Sequence, residues 1–246
     1  MFRECWEQEF KILSCGADAE QTLDDFVLLC TFLGNKALPS NLRHLETRLD
    51  WRDNAAGIPT LHLLEGSLDE LLSSYKEFLA PSLEAFKQDQ TSAGYGTTVS
   101  PYLINSDRSV NLMNLEAFIQ LVGTETKELN RLQFREKLQS SNNASKKPCL
   151  ICQEAVGMIY YEDSPYKWWK DWYYTMKFKM VQGDRQARKE QAGYYLNGLV
   201  WYFAYLTRGI CCWDYAYHEA FAPTLSDLTS ISEMEGEKGF LSVAVS

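Results

Sequence analysis

Two stretches decide how this chain reads. They are Trp169-Lys170-Asp171-Trp172-Tyr173-Tyr174, continuing to Phe178, and Tyr195-Leu196-Asn197-Gly198-Leu199-Val200-Trp201, continuing to Pro223. From Pro165 to Arg208 there are 8 Lys/Arg against 3 Asp/Glu, whereas the whole chain carries a net −9. Rings among cations inside an acidic protein have two physical explanations. One is a ring-rich core; the other is a surface for single-stranded nucleic acid, where bases stack on rings and cations follow phosphates. Taken alone, composition and spacing favour the core, because rings pack interiors far more often than they stack bases. The acidic balance excludes a general nucleic-acid binder, so any polyanion site must be local.

Working outward, the apolar residues recur at helical spacing almost throughout, which predicts an all-α fold. Thr22 to Leu33 is apolar on nearly every side and reads as a buried helix with Gly34 at its C-terminal end. Asp24-Asp25 lies at its start, where the helix dipole favours acids. Ser67-Leu68-Asp69-Glu70 reads as a capping box leading into Leu71, Leu72, Tyr75, Phe78 and Leu79, with Pro81 expected near that helix's end. Asn111 caps a third helix whose inner face is Leu112, Leu115, Phe118, Ile119 and Val122. A polar helix is expected from Thr124 to about Leu138. The segments 87–107 and 139–148 read as loops, the second a polar linker (QSSNNASKKP). A helix then spans the first aromatic block, and a long one runs from about Arg185 to Leu206, ended by Gly209. The expectation is one continuous helical body over 1–246, with a flexible or docked tail at 228–246.

The 246 residues, 46% apolar and 23% charged, supply an ordinary globular core. No run approaches a membrane span, and the start Met1-Phe2-Arg3-Glu4-Cys5-Trp6-Glu7 has no signal-peptide core, so an intracellular protein is expected, nuclear or cytoplasmic. The 7 scattered cysteines do not form a disulfide framework. Cys149-Leu150-Ile151-Cys152 has the spacing of a zinc half-site. Vicinal Cys211-Cys212 are poor partners for it, and His44, His62 and His218 show no ligand spacing, so no metal site is assigned. Neither a GxSxG elbow nor a P-loop is present.

In register, the blocks resemble the Xrn family of 5′→3′ exoribonucleases. Tyr195 to Trp201 is similar to Y-x-x-G-L-x-W, and Gly209-Ile210-Cys211-Cys212-Trp213-Asp214-Tyr215 to G-V-P-S-W-x-W. Phe221-Ala222-Pro223 falls on Y-A-P and Ser226-Asp227 on S-D, while Trp169 to Phe178 resembles W-K-x-R-Y-Y-x-x-K-F. In the N-terminal half, Asp24-Asp25-Phe26-Val27 with Gly34-Asn35 resembles D-D-F-V…G-N-D-F-L-P, and Leu64 to Asp69 the helix that follows. The motif order is kept across nearly the whole chain. The resemblance implies the irregular helical domain of that family.

It also implies losses. Family members carry a nuclease half with most of the acidic magnesium ligands and a basic pocket for the 5′-phosphate; the resemblance covers the helical region only. The family's Asp in G-N-D is Lys36 here, and an ammonium cannot ligate magnesium. Tyr215 replaces the second family Trp, Ala220 a His and Trp172 an Arg. The expectation is therefore a domain without an intact catalytic set and without a cofactor of its own, magnesium entering only with a nuclease half. It would bind single-stranded RNA or a partner protein, such as a nuclease half or another RNA-decay protein. Candidate RNA contacts are Trp213, Tyr215, Trp169, Lys170, Tyr173 and Lys177. The alternatives are a part of an active exoribonuclease, whose nuclease half lies on another chain or is missing from a truncated gene model, and a purely structural interaction protein.

Overall fold

A computed structural model describes residues 6, 8, 17–35, 37–39, 67–92, 100–128, 165–209, 212–229 and 231. Helix α1, Ala19–Phe32, starts where the Asp18 carboxylate accepts the Glu20 N–H at 2.8 Å. Its end is set by Gly34, whose φ of 86° lies in the left-handed region. Because α1 is apolar on nearly every side it lies inside, packed on α5 (Arg185–Arg208). Helix α3, Leu112–Val122, is capped by the Asn111 side chain on Asn114 N–H, and Leu115, Phe118, Ile119 and Val122 are buried as their spacing predicts.

Helix α2 corrects two expectations. It runs Ser67–Ser92, straight through Pro81 and across the first part of the segment read as a loop. Proline removes the N–H that would bond the carbonyl one turn back and costs about 3 kcal/mol or more in a helix interior. Packing overrides it here: Tyr75, Phe78 and Leu79 before the proline and Leu83 after it are all buried, and the helix lies on α3. The Ser82 hydroxyl donates to the Phe78 carbonyl at 3.0 Å.

After α2, the turn from Ser100 to Val110 closes with an isolated bridge between Ile104 and Val110; no strand occurs among the described residues. Thr124 caps a helical turn at 125–128 through Lys127 N–H. The rest of that helix, the 139–148 linker, Cys149 and Cys152 lie outside the described residues. Helix α4, Pro165–Phe178, carries the first aromatic block. Asp184 caps α5, and Gly209, at φ 93°, ends it. A short 3-10 turn, η1 (Leu225–Asp227), touches α3 and α5. Beyond it Leu228 and Ile231 are buried in the core, so the start of the tail docks. No described helix is long and apolar enough to cross a membrane.

One core joins α1, α2, α3 and α5, and Phe32, Phe78 and Tyr75 set their rings at 6.0–6.5 Å around Phe118 in edge-on geometry. Within it lies Asp25, fully buried, and this corrects the reading of Asp25 as a dipole-stabilised first-turn acid. Its carboxylate accepts the Tyr75 hydroxyl at 2.5 Å and the Leu103 and Ile104 N–H groups at 2.9 and 2.8 Å. One side chain thereby ties α1 to α2 and to the 100–110 turn. Burial pushes the Asp25 carboxyl up to about 7, against the lowering effect of those three donors.

Candidate nucleic-acid interface

Trp169, Tyr173 and Tyr174 of α4 form a second, smaller cluster. Trp169 is 4% exposed and Tyr173 and Tyr174 are buried; Trp169 stacks on Tyr173 at 5.6 Å, with Phe178 and Phe221 packed alongside. The Tyr173 hydroxyl donates to the Ala222 carbonyl at 2.7 Å. The Tyr174 hydroxyl accepts the Thr224 N–H and donates to Asp227 at 2.6 Å. Its ionisation is pushed well up by burial and by the Asp227 charge, so it stays a donor. Lys170 pairs with the other Asp227 oxygen at 2.6 Å and donates to Ser226. Bonds spanning 49 to 56 residues of chain therefore make one polar network that fastens η1 to α4.

Three further charges of this block are also engaged. Arg188 of α5 pairs with Asp171 and lies over the Tyr174 ring at 4.8 Å. The Lys177 ammonium sits 4.5 Å from the centre of the Phe221 ring. Of the six candidate contacts, Trp169, Tyr173 and Lys170 are thus turned inward, and Lys177 covers a ring. Lys167, Lys179 and Arg185 are exposed cations of the same block.

The outer face of α5 is different. Tyr215 lies across Gly198: a β-carbon there would come within 2.4 Å of the Tyr215 hydroxyl and 2.5 Å of Leu38 Cδ2. Only glycine admits both neighbours. The Tyr215 hydroxyl donates to the Tyr194 carbonyl at 2.8 Å, and its ring packs on Trp201 at 5.3 Å. Trp201 in turn lies parallel to Tyr205, 5.7 Å away. Beside this column Trp213 is 83% exposed, with Tyr194 at 64%. Trp213 is the most open large ring of the described residues.

The loop after α1 meets the same helix. Asn35 Oδ1 accepts the Ala37 and Leu38 N–H groups, and the Tyr195 hydroxyl donates to the Pro39 carbonyl at 2.7 Å. Lys36 itself lies outside the described residues. Among the described residues no group of three His, Cys, Asp or Glu is placed to hold an ion. Cys212 is a free thiol.

Sequence reasoning missed Asp25, Asp227 and Arg188. An aspartate in the middle of an all-round apolar helix was a signal for the first; for the others the partner lies on a distant element.

These features define a class, an irregular helical body whose α5 supports both the loop after α1 and an exposed tryptophan. The chain belongs to the family of the Xrn1 helical domain, which it matches over residues 16–157 and 166–239. It is 24% identical to the 5′-3′ exoribonuclease 2 homolog of Drosophila melanogaster over 254 residues, 89% of this chain and 26% of that protein. It is also 24% identical to 5′-3′ exoribonuclease 2 of Gallus gallus over 306 residues, covering 97% and 30%. With 5′-3′ exoribonuclease 1 of Schizosaccharomyces pombe it shares 23% over 319 residues, covering 89% and 22%. The chain thus spans less than a third of the length of each of these relatives.

Proposed function

We propose that this chain is an RNA-holding helical domain of Xrn type that does not cut by itself. The observation that carries the reading is Trp213, a ring left open beside a column of packed rings. Stacking one base on such a ring is worth ~1–3 kcal/mol. Lys177, Lys179, Lys167 and Arg185 would guide the phosphates. Trp169, Tyr173 and Lys170, candidate contacts by sequence, serve instead to hold the 222–227 segment on α4. Catalysis by this chain alone is excluded from the proposal because Lys36 offers donors where metal-dependent hydrolysis needs a carboxylate. An intracellular setting, nucleus or cytoplasm, goes with RNA turnover. The test is binding of labelled single-stranded RNA across a salt series. We expect binding at low salt that weakens as salt rises, and a loss of about five- to a hundredfold in Trp213→Ala. No binding at low salt, or an undiminished variant, removes the RNA reading.

A second reading rests on the fraction of the relatives that the chain spans: it is one part of an active 5′→3′ exoribonuclease completed by a nuclease half. Lys36→Asp in a protein joined to such a half is then expected to gain magnesium-dependent degradation of 5′-monophosphorylated RNA. If it gains none, this reading fails.

A further inference from the structure

We infer that Trp201 and Tyr215 are positioning residues that clamp the Trp213 segment at both ends and fix its ring outward; the RNA part of this inference rests on the function proposed above. Trp213 and Asp214 form a bend whose flanking residues are both tied to α5. On one side, Trp201 Nε1–H donates to the Cys212 carbonyl at 2.9 Å. On the other, the Tyr215 hydroxyl donates to the Tyr194 carbonyl at 2.8 Å. The two anchoring rings brace each other at 5.3 Å, and Tyr205 also stacks on Trp201, parallel within 5°.

The site for this clamp is set by α5 itself. Tyr194, Gly198, Trp201 and Tyr205 recur at helical spacing along one face, and the missing side chain of Gly198 is the gap through which Tyr215 reaches the Tyr194 carbonyl. Trp201 and Tyr215 each join a ring contact to a hydrogen bond, so each is fixed in position and in orientation. A tryptophan on an unclamped irregular segment would have to lose backbone freedom when it captured a base. Fixing even one residue's backbone carries an entropy cost comparable to a tenfold change in an equilibrium. The clamp removes that cost before the ligand arrives. Tyr215, a candidate contact by sequence, acts here through Trp213.

The experiment uses two conservative variants, Trp201→Phe and Tyr215→Phe, which keep a ring in place and remove one hydrogen bond each. Amide hydrogen exchange over residues 212–216 is read together with the affinity for a fluorescein-labelled oligoadenylate. We expect faster exchange in that segment, α1 and α3 unchanged, in both variants. We also expect a roughly tenfold weaker affinity that disappears as a difference once Trp213 is already alanine. Unchanged exchange in both variants overturns the inference, as does an affinity loss that persists undiminished on the Trp213→Ala background. If the wild-type protein binds no oligoadenylate, the RNA reading falls on its own, and the exchange of 212–216 alone decides the clamp.

Discussion

The two aromatic blocks are alike in composition and opposite in use. In α4, Trp169, Tyr173 and Tyr174 face inward, Lys170 is held by Asp227, and Asp171 pairs with Arg188 of α5. In the segment after α5, the ring of Tyr215 packs on Trp201 of α5 while Trp213 is left 83% exposed, and Asp214 is the charge beside it. The difference teaches that ring content does not separate a core from a binding face. What separates them is whether polar atoms on another element are placed to accept the ring's hydroxyl and the neighbouring cation. The 222–227 segment does this for α4, and among the described residues no comparable partner covers Trp213.

The largest effect is expected at Asp227. Asp227→Ala removes the carboxylate that Lys170 and the Tyr174 hydroxyl share in a largely buried network and should destabilise the fold by ~3–5 kcal/mol, read by chemical denaturation. A loss below ~1 kcal/mol would show that the α4 block does not depend on this network. Gly198→Ala should come next, at ~1–3 kcal/mol, because the added methyl meets Tyr215 and Leu38. It should also loosen the exposed block and leave the α4 cluster unchanged in near-UV circular dichroism.

Asp25 is expected to give a pH signature that neither aromatic block shares. Its folded-state pKa of about 7 lies above the usual unfolded value, so the folded protein keeps a proton between roughly pH 4 and 7 that the unfolded chain has lost. Its contribution is full below pH 4 and falls as pH rises toward 7. The groups facing it are the Tyr75 hydroxyl, two backbone N–H groups and the neighbouring Asp24. The stability gap between wild type and Asp25→Asn should therefore shrink across that window, by up to about 1.4 kcal/mol per pH unit. A gap independent of pH would contradict the assignment. The smallest effect on stability is expected from Trp213→Ala, within about 0.5 kcal/mol, as for a surface residue.

Much of the fold was legible in the sequence, and the reasons are local. Helices α1, α3 and α5 announce themselves by apolar spacing and by Asn111, Gly34 and Gly209 at their ends, signals that depend on neighbours a few residues away. Pro81 misled because a local helix breaker was overridden by burial of Tyr75, Leu79 and Leu83. Asp25 was misread because its partners, Tyr75 and the backbone at 103–104, are 50 to 79 residues distant. The same distance hid the Lys170–Asp227 pair, so Lys170, which reads as a phosphate contact, is held by a carboxylate of the protein instead. For the interface, the residue types around Trp213 were legible through the family register. Its exposure was not, because it depends on how the chain crosses α5 at Gly198.

On the function proposed above, Trp213 meets RNA while Trp169 remains core. Fluorine NMR of protein labelled with 5-fluorotryptophan, its resonances assigned by single Trp→Phe variants, tests it most directly. On titration with single-stranded RNA at low salt, the Trp213 resonance should shift or broaden and the Trp169 resonance should stay in place. A titration in which Trp169 moves and Trp213 does not, or in which neither moves, would contradict the account.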